Sequence, residues 1–177
     1  MGHSPAEPPQ GLLATVGQFI ARFCTSAWVG AATLFVIVGV AEVTRGGFDS
    51  ATKDILVALR FPAYYVCGVV LMGSAWLGAL IGGPSATFPR FRRTGALIFL
   101  ALSLGVLALD YVFVYLPLLR MVVPPGQAKS ASFTHYHEAS KWVNLVGLTL
   151  CLIATVLIQW PVRVTQVAET RTPDTAA

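Results

Sequence analysis

Charge is scarce in this sequence. Charged residues make up 11% of the 177 residues, whereas a soluble domain usually carries about 25%. The chain has no internal repeat, so it lacks the inverted-repeat signature of many transporters. The formal net charge of +4 does not indicate nucleic-acid binding, because the basic residues lie between apolar stretches, where anionic lipid headgroups are the natural partners.

Cysteine is rare as well. Cys24, Cys67 and Cys151 fall in three different apolar stretches without a CxxC pair, so we expect small packed thiols rather than a disulfide framework. The proline-rich residues 1–11 lack the basic and short apolar segments of a cleavable signal peptide, and we expect the first span to stay as an anchor. We expect this leader and the polar tail, residues 168–177, to be disordered.

Four long apolar stretches dominate what the sequence does contain. They cover approximately residues 12–43, 55–81, 94–119 and 138–164. Each is at or above the roughly 20 residues that a helix needs to cross a hydrocarbon core of about 30 Å. Because lipid offers no water to the backbone, each span must be helical. We therefore predict an all-α polytopic membrane protein, with a four-transmembrane-helix bundle over residues 12–167.

Small residues and prolines predict how these helices pack and where they begin and end. The predicted packing face of the first span consists of Ser26, Ala27, Gly30 and Ala31. The glycine-rich second span favours close contacts and offers a face to a homo-oligomer or another membrane protein. We expect Pro62 to lie in the first turn of the second span and Pro117 to end the third.

The distribution of basic residues gives only a weak orientation. The two sides of the bundle carry equal numbers of Lys and Arg, so the positive-inside rule alone does not decide. The compact basic cluster at residues 90–93 lies in a short loop without acids, which favours placing both termini inside. Since no organelle signature is visible, a plasma membrane or a bacterial cytoplasmic membrane is the expected location.

Asp110 interrupts the third apolar stretch. An acid near a helix centre costs about 2.5–3.5 kcal/mol on insertion scales, so it should face the bundle interior and find a partner, or stay protonated. Its depth, counted along antiparallel helices, matches that of Asn144, which is the predicted partner. Two hypotheses remain open here: a proton or cation site, and a structural hydrogen bond between helices.

A polar stripe marks the start of the fourth span. It consists of His137, Ser140, Lys141 and Asn144. These residues recur at intervals of three and four, so they share a helix face that we expect to point at the bundle core and Asp110. His135 and His137 could also hold a metal or a haem, but a closed metal site needs three or four ligands and no second cluster is visible. We expect no cofactor and keep haem or metal as an alternative.

The same segment resembles a known family. The residues that carry the resemblance are Phe133, Tyr136, His137, Ser140 and Asn144, together with Phe61, Pro62 and Tyr64. The first set is similar to the signature at the last helix of the transmembrane protein 205-like family, and the second to its Phe-Pro-x-Tyr at the start of the second helix. The resemblance implies a four-helix membrane domain of largely unassigned biochemistry and supplies no catalytic residues.

Three functions follow as hypotheses. The preferred one is a non-enzymatic integral membrane protein that supports transport, resistance or membrane-complex assembly. The alternatives are a small transporter with Asp110 as its ion or proton site, and a haem- or metal-binding membrane oxidoreductase that uses His135 and His137. The expected partners are the lipid bilayer and a second copy or another membrane protein.

Overall fold

A computed structural model describes residues 11–44, 46–85 and 88–160. They form four long helices, namely α1 (Leu12–Thr44), α2 (Ser50–Ile81), α3 (Arg90–Val122) and α4 (Ala131–Gln159). Each helix is long and apolar enough to cross a membrane, and the described residues contain no strand, so the all-α prediction is confirmed. The expected disordered leader (except Gly11), the tail and residues 161–164 of the fourth span lie outside the described residues.

The helix α2 begins earlier than the apolar stretch suggests. Asp49 is its N-cap, and the carboxylate accepts a hydrogen bond of 2.7 Å from the backbone N–H of Thr52. Hydrogen bonding to the side chain and then to the backbone of Thr52 lowers the pKa of Asp49. Pro62 consequently lies inside the helix, and its predicted place in the first turn is wrong. Because proline has no N–H, the carbonyl of Ala58 loses its usual intrahelical donor.

The helix α3 also continues past its predicted end. It runs through Pro117 to Val122 and contains one π-helical turn, Tyr111–Tyr115. A proline inside a helix lacks a donor and crowds the carbonyl four residues earlier, and a π turn is one way in which a helix accommodates such a defect. The π turn begins directly after Asp110.

The helix α4 begins at Ala131, with Ser130 as its N-cap. His135 and His137 therefore lie inside the helix. The connection before α4 is held to α2 by Asp54, which is 5% exposed. Its Oδ2 accepts hydrogen bonds from the backbone N–H of Gly126 at 3.0 Å and from Lys129 Nζ at 2.5 Å.

Glycines bring α1 and α2 into direct backbone contact. A Cβ on Gly17 would lie 2.7 Å from the backbone nitrogen of Gly82, and a Cβ on Gly78 would lie 2.7 Å from the carbonyl oxygen of Gly17. Gly68 similarly makes room for the ring of Trp28, 2.8 Å from where its Cβ would be. Gly68 and Gly78 of α2, and Gly82 at its C-cap, therefore serve contacts within the chain rather than a face open to a second copy.

The predicted packing face of α1 is only partly buried. Ala27 and Ala31 are partly buried, and Ala31 packs against the core. Ser26 and Gly30 are exposed, and a Cβ on Gly30 would meet nothing within 4 Å. The buried face of α1 consists of Gly17, Ala21, Cys24, Thr25, Trp28 and Ala32. Trp28 on this buried face fills the space beside Gly68 of α2.

Two arginines of the basic cluster bind the carbonyls at the C-terminal ends of α4 and α2. Arg92 Nη2 donates to the carbonyls of Leu157 at 2.6 Å and Trp160 at 2.7 Å, at the end of α4. Arg93 donates to the carbonyls of Ala79 and Leu80, both at 2.9 Å, near the end of α2. The last carbonyls of a helix have no intrahelical donor, so these arginines satisfy helix ends instead of pointing only at lipid headgroups.

Candidate functional site

Asp110 is the centre of a polar network inside the bundle. It is 1% exposed and lies on α3, directly before the π turn. Its Oδ2 accepts a hydrogen bond of 2.6 Å from the hydroxyl of Tyr65 on α2 and one of 3.1 Å from Nδ2 of Asn144 on α4. One carboxyl oxygen thus joins three helices.

Asn144 extends the network in both directions. Its Oδ1 accepts a hydrogen bond of 2.9 Å from the hydroxyl of Tyr64. Its Nδ2 also donates to the carbonyl of Ser140 at 2.9 Å and lies 3.3 Å from the Ser140 hydroxyl. The amide therefore uses both its oxygen and its nitrogen, which fixes the orientation of the side chain.

Aromatic rings shield the network on the side of the π turn. Tyr65 packs against Tyr111 and Tyr115 with centroid distances of 5.1 and 5.0 Å. Phe61 stacks on Tyr115 at 5.6 Å, and Phe35 lies 4.4 Å from Tyr64. This shell keeps the hydrogen bonds in an apolar environment, where each is electrostatically stronger than in water.

A small cavity of about 10 Å³ adjoins the network. Its polar lining comes from Tyr64, Ser103, Asp110 and Asn144, and a volume of this size accommodates about one water molecule. The Ser103 hydroxyl donates to the carbonyl of Gly147 at 2.8 Å. Within the described part of the chain, Oδ1 of Asp110 is buried and has no hydrogen-bond partner.

A larger groove of about 360 Å³ opens between α3 and α4. Except for Asp110, its lining is apolar: Val106, Leu109, Phe113, Val114, Trp142, Val143 and Val146. An acyl chain suits such a lining better than a polar substrate does.

The structure brings together only part of the predicted polar stripe. Asn144 lies against Asp110, as its depth predicts, and Ser140 joins through Asn144. Lys141 is exposed and pairs with Glu138 at 2.5 Å, while exposed His137 stacks on the ring of Phe133 at 5.8 Å. The prediction that His137 and Lys141 point at Asp110 is therefore wrong.

The inward face of α4 is offset by one position from the predicted stripe. The partly buried residues on this part of the helix are Phe133, Tyr136, Ser140, Val143 and Asn144. Four of these five belong to the set that carries the family resemblance, and Tyr64 of the second set bonds to Asn144. Of the remaining resemblance residues, Phe61 packs in the aromatic shell and Pro62 is exposed.

The two histidines do not converge on a ligand. Both are exposed, and residues two apart on a helix point in nearly opposite directions. No group of three His, Cys, Asp or Glu side chains that could hold a metal occurs among residues 11–44, 46–85 and 88–160.

Sequence reasoning missed Tyr65 and an ion pair. Tyr65 lies deep in the bundle because α2 begins at Ser50, whereas a first turn at Pro62 would place it near the rim. Arg60 pairs with Glu42 at 2.6 Å, and its guanidinium lies 5.5 Å from the Phe35 ring. The sequence does contain a signal for each. Two adjacent tyrosines inside an apolar run indicate Tyr65, and an acid and a base in successive spans indicate the ion pair.

Comparison with known proteins adds no assignment. No protein-family model, no curated protein and no solved structure matches the chain. The resemblance to the transmembrane protein 205-like family stays a prediction that depends on the residues named above.

Proposed function

We propose that this chain is a non-enzymatic, multi-pass membrane protein of the transmembrane protein 205-like type, which supports transport, resistance or the assembly of a membrane complex. The observation that carries the proposal is the Asp110 network, which joins α2, α3 and α4 through side chains of one chain. In this role the network fixes the helices in one arrangement and so presents a defined surface to lipid and to partners.

The size of the internal space supports a non-enzymatic role. Small-molecule sites usually have volumes of about 300–1,000 Å³. The polar cavity beside Asp110 measures only about 10 Å³, and the groove of about 360 Å³ is apolar apart from Asp110. Neither space combines room for an organic substrate with several polar groups to orient it.

The second candidate is a small transporter with Asp110 as its ion or proton site. The buried Oδ1 of Asp110, which has no partner among the described residues, favours this candidate. Flux of protons or monovalent cations into vesicles that contain the purified protein tests it. Loss of such a flux in Asp110→Asn would favour the transporter, and the absence of flux in the unmodified protein would favour the non-enzymatic role.

A haem- or metal-dependent oxidoreductase receives less support. The exposed histidines point in different directions, so a single metal ion would need ligands from elsewhere. An absorbance spectrum with metal analysis tests this hypothesis directly. Stoichiometric haem or metal that is lost in His137→Ala would overturn our proposal.

The proposed location is a plasma membrane or a bacterial cytoplasmic membrane, and the proposed partners are the bilayer and a second copy or another membrane protein. Gly68, Gly78 and Gly82 are occupied by contacts within the chain, so we expect a partner to bind elsewhere on α2. Gly73, where a Cβ would meet nothing within 4 Å, remains on an open face of α2.

A further inference from the structure

Asp110 has no charge partner among the residues that the structure describes. Its Oδ2 accepts two hydrogen bonds, while its buried Oδ1 has none from the described residues. The titratable groups that face it are the phenols of Tyr64 and Tyr65 on α2. The side chains that face it from α1 and α4, Trp28 and Asn144, are uncharged. No side chain that bonds to Asp110 or lines the cavity is basic. An ionised carboxylate would be costly in such a place, and a neutral carboxyl would not.

The two carboxyl oxygens have different roles. Since Oδ2 is already a double acceptor, the proton of a neutral carboxyl belongs on Oδ1, which then requires an acceptor of its own. The adjoining cavity of about 10 Å³ fits one water molecule, and its walls include Tyr64, Ser103 and Asn144. A buried water usually makes two to four hydrogen bonds, which these walls and Oδ1 supply.

Polar side chains on α4 lie between the cavity and the start of that helix. Asn144 bonds to Ser140, and partly buried Tyr136 and exposed His137 follow toward the start of α4. From Asn144 to His137 the helix rises about 10 Å. Toward the other end, the bundle is closed by apolar side chains that are 0% exposed, namely Ala96 and Leu100 on α3 and Cys151 and Ala154 on α4.

We propose that the cavity binds one water molecule hydrogen-bonded to Oδ1 of a neutral Asp110, and that this water exchanges the Asp110 proton only with the side of the membrane where α4 begins. In the exchange, the Oδ1–H bond breaks as a bond to the water oxygen forms. The protonated water then passes one of its protons to a solvent water that enters from the start of α4, and the reverse transfer restores the neutral carboxyl. This inference rests on the proposed membrane-spanning arrangement and makes Asp110 a one-sided proton site rather than a channel.

The protonation state is tested by infrared spectroscopy of the full chain in lipid nanodiscs. We expect the carbonyl band of a neutral carboxyl at neutral pH, its shift in D₂O, and its loss in Asp110→Asn. Absence of the band from the unmodified protein would show an ionised Asp110 and overturn the inference. The readout does not depend on transport, so a silent flux assay, which bears on the transporter candidate, would leave this result standing.

The path is tested by the rate at which that band shifts after transfer to D₂O. Ser140→Val should slow the shift about tenfold, which corresponds to an added barrier of about 1.4 kcal/mol. Thr149→Val is the matched control, because exposed Thr149 bonds only to the carbonyl of Leu145 on its own helix. Equal rates in the two variants would overturn the one-sided path.

The water is tested by narrowing the cavity. Gly147→Ala adds a methyl group 3.3 Å from Val106 Cγ1, and both residues line the cavity. We expect the exchange to slow as in Ser140→Val, whereas Gly105→Ala on an open face of α3 should leave it unchanged. An unchanged rate in Gly147→Ala would overturn the role of the water.

Discussion

Replacing Asp110 by Leu should destabilise the bundle more than replacing it by Asn. The Leu side chain removes the acceptor of two interhelical hydrogen bonds, at 2.6 Å from Tyr65 and 3.1 Å from Asn144. Such bonds contribute about 0.6 kcal/mol on average in a membrane and up to about 1.7, because the unfolded chain in lipid also finds partners. We therefore expect the free energy of unfolding to fall by about 1–3 kcal/mol in Asp110→Leu. Asn keeps an oxygen acceptor, so its loss should stay below about 1 kcal/mol.

The assay is reversible unfolding of the purified protein in mixed detergent micelles, followed by tryptophan fluorescence. Val112→Leu is a suitable control, because Val112 is 50% exposed on the same helix and makes no hydrogen bond through its side chain. Equal losses in the Asn and Leu variants would refute the hydrogen-bond account of Asp110. A Leu variant as stable as the unmodified protein would refute it as well.

Two further predictions use the same unfolding assay. Gly78→Ala should lower the free energy of unfolding by about 1–3 kcal/mol, because the added Cβ would lie 2.7 Å from the Gly17 carbonyl oxygen. Gly30→Ala should change it by less than about 0.5 kcal/mol, and similar losses in both variants would contradict the packing account. Arg92→Gln should cost about 1.5–3 kcal/mol, because charged hydrogen bonds to the end of α4 are lost. Arg90→Gln, at an exposed position, should be nearly neutral, and an equally neutral Arg92→Gln would contradict the capping role.

The number of helices was predictable because length and hydropathy alone determine it. The starts of α2 and α4 were not predictable, because the polar residues of their first turns have the low hydropathy that is typical of a loop. Asp54 shows the physical reason. Its charge is compensated by Lys129 and its other partner is the backbone N–H of Gly126, contacts that join residues far apart in the sequence. Hydropathy averages over neighbours in the chain and cannot include such partners.

The part of the candidate site that depends only on how deep a residue lies in the bundle was predictable. Asn144 was found because two antiparallel helices place residues of equal depth side by side, and this argument needs no knowledge of helix rotation. Whether Lys141 belongs to the network depends on how α4 is rotated about its own axis. In the structure Ser140, and not Lys141, lies on the inward face of α4. Tyr65 depends on the true start of α2, which the sequence-based boundary missed.

The π turn explains how a single acid can be enclosed by phenols. In a regular α-helix the residue one turn beyond Asp110 would be Val114, whereas the wider π turn brings a residue five positions later onto a similar face. That residue is Tyr115, which is 5% exposed and packs against Tyr65. Pro117, which has no N–H to donate, follows this turn in α3. The aromatic rings of Phe61, Tyr65 and Tyr115 therefore cover Asp110 toward the C-terminal end of α3, while Asn144, which also bonds to Ser140, approaches it from α4.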